Sequence, residues 1–144
     1  MRAPVKLRHE FVEVIPRERE NGVLYVSIPF ATAVHNCFCG CGTKVVTPIS
    51  PVGWQLIFDG EAVSLSPSVG NWAYPCRSHY FIRRDSVVWA DDMTEAEIAW
   101  GRARDKSARE AHFAESRQTP ATPVATAAAP TSKKRGFWSW LLGR

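Results

Sequence analysis

Residues 35–42 read HNCFCGCG, and residues 75–79 read PCRSH. Together the two clusters contain all four cysteines of the chain and two of its four histidines, which are His35, Cys37, Cys39, Cys41, Cys76 and His79. Alternate residues of an extended segment project to the same face, and Gly40 and Gly42 allow the backbone to bend. Two distant segments rich in thiol and imidazole donors are typical of one metal site, so the sequence predicts a chain that folds around a zinc ion.

Two disulfide bridges are the alternative use of four cysteines. The chain starts MRAPVKLRHE, without the apolar run of a signal peptide, and has no stretch long enough to span a bilayer. We therefore expect a cytoplasmic protein, and a reducing cytosol favours metal binding over disulfides. Cysteines at positions i and i+2 of a strand also point the same way, which makes a bridge between them difficult.

Six donors compete for the four positions that zinc usually offers. The spacing Cys39-Gly-Cys41-Gly resembles a zinc knuckle, and Cys76-x-x-His79 is tight enough to share a metal, so these four are the predicted ligands. Cys37 is a further candidate ligand. A site with four protein ligands would only stabilise the fold, whereas three ligands would leave a place for a water whose pKa falls to about 7. The sequence leaves both alternatives open.

Hydrolysis at such a metal would require a base and a group that stabilises the developing oxyanion. His35 is the nearest candidate base, and Asp59 and Glu61 are the nearest carboxylates that folding could bring to the site. Ser78 is a candidate donor to a metal-bound oxygen. The zinc-peptidase helix motif HExxH is absent. A thiol nucleophile, Cys76 activated by His79, is the alternative chemistry.

Residues 1–92 have the composition of a β domain. Asn21–Gly22 and Asp59–Gly60 are hairpin signals between runs rich in β-branched and aromatic residues. Short strands separated by glycine and proline predict a small sandwich or barrel-like fold. The predicted strands are Phe11–Ile15, Val23–Ile28, Lys44–Thr47, Trp54–Phe58, Ala62–Leu65, Tyr80–Arg83 and Val87–Trp89.

The remaining chain divides into three regions. Residues 93–115 predict a helix that begins at the capping-box pair Thr94 and Glu97. Residues 116–132, rich in Ala, Pro and Thr, predict a flexible linker. Residues 133–144, KKRGFWSWLLGR, form a basic and aromatic tail. We expect this tail to dock on a partner protein; packing on its own domain and contact with a membrane surface are the alternatives.

The net charge of +4 is confined to the C-terminal end. Lys133, Lys134, Arg135 and Arg144 lie there, so residues 1–132 hold 14 basic against 14 acidic side chains. A neutral domain lacks the basic face that binds phosphates, which argues against a nucleic-acid partner.

Five sequence blocks between residues 31 and 90 resemble those of a known family: HNCFCGCG, VVTP, WQLIFDG, VSLSPSVGNW and PCRSHY. The family consists of small bacterial proteins, catalogued as a domain of unknown function and encoded in Bub-type ubiquitin-like conjugation operons. The resemblance implies a zinc-dependent peptidase that processes or deconjugates a ubiquitin-like protein. The resemblance also implies that the ubiquitin-like protein is a partner of the chain, together with the enzymes that activate or conjugate the ubiquitin-like protein.

A ubiquitin-like tail would bind as an added strand on a sheet edge. Four polar residues before Cys76 are candidates to line that groove, or else simply form turns: Ser64, Ser66, Ser68 and Asn71. Two other functions remain open. One is a non-catalytic, zinc-stapled module that recruits the ubiquitin-like protein or its conjugating enzyme. The other is a Rieske-like redox centre, in which His35 and Cys37 would supply the first ligand pair.

Overall fold

The computed structural model describes residues 3–118, which form nine strands and one helix. The predicted tail and residues 119–132 of the predicted linker lie outside the described residues. The elements are β1 Val5–Lys6, β2 Arg8–Phe11, β3 Val23–Ser27, β4 Thr32–Asn36, β5 Lys44–Pro48, β6 Gln55–Phe58, β7 Val63–Gly70, β8 His79–Arg83, β9 Ser86–Trp89 and α1 Glu95–Gln118.

The strands form two sheets that share one core. Five strands pair in the order β1-β9-β8-β7-β6, and four pair in the order β2-β3-β4-β5. Leu24 and Val26 of the smaller sheet pack in the same buried cluster as Val63, Tyr80 and Ile82 of the larger one. Burying each such side chain contributes about 1.5–3 kcal/mol. The predicted mainly β class, with two sheets facing one another, is confirmed.

The predicted hairpin at Asn21–Gly22 is wrong. β2 and β3 pair in parallel, from Arg8 opposite Val23 to Phe11 opposite Val26, so residues 12–22 are a crossover. Gly22 has a φ of +81°, which shows that the turn signal marks a real bend. Parallel neighbours cannot be joined by a two-residue turn, and here the bend ends the crossover.

The hairpin predicted at Asp59–Gly60 is confirmed. β6 and β7 pair antiparallel, and the Asp59 carboxylate accepts hydrogen bonds from the backbone N–H groups of Glu61 at 3.0 Å and Ala62 at 2.8 Å. Further along β7, the pairing with β8 shifts between Leu65 and Val69. Such a bulge redirects the side chains of the extra residues. Ser68 lies in this bulge, opposite the beginning of β8.

Helix α1 begins at the predicted capping box and runs to Gln118, three residues beyond the predicted end. Thr94 and Glu97 exchange hydrogen bonds between their side chains and backbone N–H groups, at 2.8 and 3.3 Å. Ile98 is the buried residue of the helix, whereas Trp100 and Phe113 are exposed. Over residues 3–118, no helix combines the length and the apolar character needed to cross a membrane.

Candidate metal site and serine–histidine pair

The two cysteine segments meet at one point. The sulfur atoms of Cys37, Cys39, Cys41 and Cys76 all lie within 4.8 Å of one another, and none forms a disulfide. The first three belong to a knuckle after β4, in which the Cys37 N–H donates to Thr43 O at 2.7 Å and the Gly40 N–H donates to Cys37 O at 3.1 Å. Cys76 comes from the β7–β8 loop of the other sheet. The four thiols can therefore hold a soft metal ion between the sheets.

This donor set differs from the predicted one at a single residue. Cys39, Cys41 and Cys76 were predicted ligands and come together, and Cys37, the further candidate, completes the group. His79 does not belong to it. Four protein thiols fill the usual coordination of zinc, which leaves no position for a reacting water.

Neighbouring protein groups shift the pKa values of the thiols in different directions. Hydrogen bonds from the hydroxyl and backbone of Thr43 lower the pKa of Cys41 to about 6. The pKa of Cys76 is also lowered, chiefly by the Ser78 hydroxyl. Burial, together with the neighbouring Cys37, raises the pKa of Cys39 to about 12. A bound cation would deprotonate all four, because its charge offsets the repulsion between thiolates.

Ser78, predicted to donate to a metal-bound oxygen, lies against the sulfur atoms themselves. Its Oγ is 3.0 Å from the Cys37 sulfur and 3.5 Å from that of Cys76. The Asn71 side-chain amide donates to the same Oγ at 2.8 Å, and both residues are buried. Hydrogen bonds of this kind orient the ligands of a metal site.

His35, predicted as a base, lies in the core with no exposed surface. Its ring stacks on Phe38, and its Nε2 lies 2.8 Å from the hydroxyl of Tyr80. Within residues 3–118 its Nδ1 has no hydrogen-bond partner. Burial lowers the pKa of His35 to about 3, so the imidazole is neutral at physiological pH. Burial likewise raises the pKa of Tyr80 above its usual range.

Asp59 and Glu61 lie at the opposite end of β7 from the thiols. Asp59 accepts the hydrogen bonds of its own turn and pairs with Arg84, and the bonds from Ala62 and Glu61 lower its pKa. From Val63 to Gly70, β7 spans about 23 Å at roughly 3.3 Å per residue. The structure therefore does not bring the two predicted carboxylates to the metal site.

His79 contacts a serine instead of the metal ligands. Its Nε2 lies 2.9 Å from Ser68 Oγ, and its Nδ1 lies 2.7 Å from the backbone carbonyl oxygen of Asp91. A carbonyl oxygen can only accept, so Nδ1 carries the proton and Nε2 is left to accept from the Ser68 hydroxyl. This is the arrangement of a nucleophile, its general base and a group that orients the base.

Neighbouring groups hold the imidazole in place. The Trp72 ring lies 4.9 Å from it, and a Cβ on Gly70 would stand 2.4 Å from Trp72 Nε1, so only glycine leaves room for the indole. A cleft of about 350 Å³ adjoins the ring. Its lining comes from the β7–β8 loop, the first residue of β8, the last residue of β9 and the segment after it, namely Cys76, Arg77, Ser78, His79, Trp89, Ala90, Asp91 and Asp92.

The sequence prediction missed the pairing of Ser68 with His79. It treated Ser68 as a groove or turn residue and His79 as a ligand. The sequence holds six candidate donors for the four positions of a zinc site, and this surplus was the signal that some of them have another role. Once all four cysteines are counted as ligands, both histidines are free for other roles, and only His79 is partly exposed.

The comparisons with known proteins give one match, to a protein family. A family model described as "Bacterial ubiquitination-like system serine protease (BubE)" matches residues 11–90, more than half of the chain. No curated protein and no solved structure gives a significant match. The predicted zinc-dependent peptidase is wrong, because the family is described as a serine protease. The Bub-type family expected from the sequence blocks is confirmed, and the chain belongs to the BubE family of bacterial ubiquitination-like system serine proteases.

Proposed function

We propose that the chain is a serine protease in which Ser68 is the nucleophile and His79 is the general base. The observation that carries this proposal is the 2.9 Å contact between Ser68 Oγ and His79 Nε2, with the tautomer fixed by the Asp91 carbonyl. Both residues are partly exposed, and His79 lines a cleft beside the pair, so a substrate chain can approach it. His35 and Ser78 are buried, and in this proposal they support the site without touching the substrate.

In the first half of the reaction, Ser68 Oγ attacks the scissile carbonyl while His79 Nε2 takes its proton. The imidazolium then donates that proton to the leaving nitrogen, and an ester with Ser68 remains. In the second half, His79 Nε2 takes a proton from a water that attacks the ester, and it returns this proton to Ser68 Oγ as the acid leaves. The Asp91 carbonyl stabilises the imidazolium through Nδ1–H with a dipole, where a Ser-His-Asp triad uses a carboxylate.

The proposed substrate is the ubiquitin-like protein of the system, cut at its C-terminal end in a precursor or a conjugate. The family description supports this choice of substrate. The enzymes that activate and conjugate the ubiquitin-like protein are the proposed pathway partners. The cleft beside His79 falls within the size range of ligand pockets, about 300–1,000 Å³.

We further propose zinc as the metal of the four-thiol site, in a structural role. Four thiolates match the donor set of closed zinc sites. When bound, zinc would stabilise the fold, because the unfolded chain has no such site.

The test uses a fluorophosphonate probe, which labels activated serines, and a C-terminally extended ubiquitin-like precursor. We expect the probe to label Ser68 and the protein to cleave the precursor, and we expect Ser68→Ala and His79→Gln each to lower cleavage at least about 10³-fold. Ser86→Ala, at the first residue of β9, is the control that should keep full activity. Unchanged cleavage by Ser68→Ala, or labelling of another residue, would refute the assignment.

A further inference from the structure

We propose that Asn71 and Ser78 are positioning residues that couple the four-thiol site to the Ser68–His79 pair, so that metal binding holds nucleophile and base together. The inference rests on the proposed function and concerns how the same site is regulated. It extends the role of the metal from stabilising the fold to controlling a site that the metal does not touch.

Two hydrogen bonds tie the segment of the nucleophile to the segment of the base. The Asn71 backbone N–H donates to the Ser78 carbonyl at 2.9 Å, and the Asn71 side-chain amide donates to Ser78 Oγ at 2.8 Å. Asn71 follows Ser68 by three residues, and Ser78 directly precedes His79. Both side chains are at least nine-tenths buried, with 5% and 6% of their surface exposed. The two hydrogen bonds between Asn71 and Ser78 are therefore shielded from competing water.

The same serine contacts the thiols. A hydroxyl has one proton to donate, and Asn71 already occupies one acceptor position of Ser78 Oγ, so the Ser78 proton is available to a sulfur atom. The Cys37 sulfur lies at 3.0 Å and the Cys76 sulfur at 3.5 Å. A metal-bound thiolate accepts such a bond as a charge-assisted one, which is about twice as strong as a neutral bond. Metal binding thus fixes the orientation of Ser78 and, through it, of Asn71.

The chain also transmits this constraint covalently. Only Arg77 and Ser78 separate Cys76 from His79, and Arg77 has a φ of +43°, in the left-handed region. A cysteine released from the metal would free this short loop to move. The working range for a base and its nucleophile is about 2.6–3.2 Å, and a misplacement of 1 Å can cost about 100-fold in rate. Ser68 and His79 therefore need a fixed loop.

The experiment compares Ser78→Ala and Asn71→Ala with Ser27→Ala in the full chain. Ser27 is a matched control, because it is also buried and its hydroxyl also donates a hydrogen bond, to Glu13 O at 2.7 Å, but it lies on β3. Zinc content, fluorophosphonate labelling of Ser68 and the NMR signal of the His79 Nδ1–H proton are measured with and without a chelator.

We expect both site variants to keep zinc, to lose about 10- to 100-fold in labelling rate and to lose protection of the Nδ1–H proton. Chelation should lower the labelling rate and the Nδ1–H protection of the wild-type protein by similar amounts. In the variants, chelation should lower both only a little further. Ser78→Thr, which retains the hydroxyl, should recover labelling, and Ser27→Ala should match wild type. Recovery by Ser78→Thr separates a positioning role from a general loss of folding.

Two results would overturn the coupling. One is wild-type labelling and wild-type Nδ1–H protection in zinc-loaded Ser78→Ala and Asn71→Ala. The other is the same pair of results in chelated protein that remains folded by circular dichroism. If the probe fails to label Ser68 even in zinc-loaded wild type, the proposed function fails, while the Nδ1–H signal still decides whether metal binding orders His79.

Discussion

The His79 imidazole depends on a backbone group for its orientation. Asp91 presents its carbonyl to Nδ1, and its carboxylate makes no hydrogen bond or ion pair within residues 3–118. In a Ser-His-Asp triad, replacing the aspartate lowers kcat by about 10⁴-fold. Here the side chain is not the orienting group.

We therefore expect Asp91→Ala to lower kcat/KM by less than about tenfold, since the carbonyl that orients Nδ1 remains. Precursor cleavage by the purified variant measures this effect, with His79→Gln as the inactive reference. A loss of 10³-fold or more in Asp91→Ala would show that the carboxylate acts as a triad member.

A methyl group added at Gly70 and one added at Gly101 should have opposite effects on stability. At Gly70 the new Cβ would meet the Trp72 indole at 2.4 Å, whereas at Gly101, inside α1, it would meet nothing within 4 Å. We expect Gly70→Ala to displace Trp72 and to lower both Tm and cleavage, the latter at least about tenfold. Gly101→Ala should raise stability by about 0.5–1 kcal/mol, because glycine is a poor helix former. Equal Tm shifts in the two variants would contradict this reading of the packing.

Among the elements, the segment after β9 determines whether His79 keeps its partner. Arg77 holds this segment: it donates to Glu95 at 2.8 Å, to Asp92 at 3.3 Å and to the Met93 carbonyl at 3.2 Å. Glu95 and then Asp92 raise the pKa of Arg77 above its usual value.

We expect Arg77→Met to lower kcat about 3- to 10-fold while Tm changes little, because these exposed ion pairs contribute little to stability but restrain the Asp91 carbonyl. Arg104→Met is the matched control, since Arg104 also pairs with an aspartate and lies over a tryptophan, on the solvent side of α1. A loss of activity in both variants would point to the helix as a whole.

The sequence predicted those elements whose signals are local. Asp59–Gly60 makes its hairpin because the carboxylate binds the backbone of its own turn. Asn21–Gly22 carries an equally strong signal, but the pairing of β2 with β3 is decided by burial across the sheet, which is not a local property. β4, with the sequence TAVHN, was missed because its apolar run is short. The bulge that brings Ser68 to His79 is marked in the sequence only by Pro67, since proline inside a central strand occurs at bulges, and this signal does not say which side chains meet.

At the scale of the molecule, the thiol site links the two sheets. Three of its cysteines follow β4 of the smaller sheet, and Cys76 precedes β8 of the larger one. Metal binding by the folded state alone would stabilise the whole domain, since the site does not exist in the unfolded chain.

We expect a chelator to lower Tm and to increase amide hydrogen exchange first in residues 37–43 and 71–79, while β3 and β9 remain protected. Hydrogen exchange followed by mass spectrometry measures this pattern, and re-addition of zinc should reverse it. A uniform increase over residues 3–118 would show that the metal holds no particular region.

Ser68 and His79 are only eleven residues apart, on one pair of antiparallel strands. This short separation affects the order in which contacts form during folding. Contacts between such near neighbours form within microseconds in a collapsing chain. Bringing Cys37 to Cys76 closes a much longer loop, at an entropic cost of about 3 kcal/mol. Under the proposed function, nucleophile and base would therefore be neighbours before the two cysteine segments meet, and a metal ion would secure a pair that the chain has already formed.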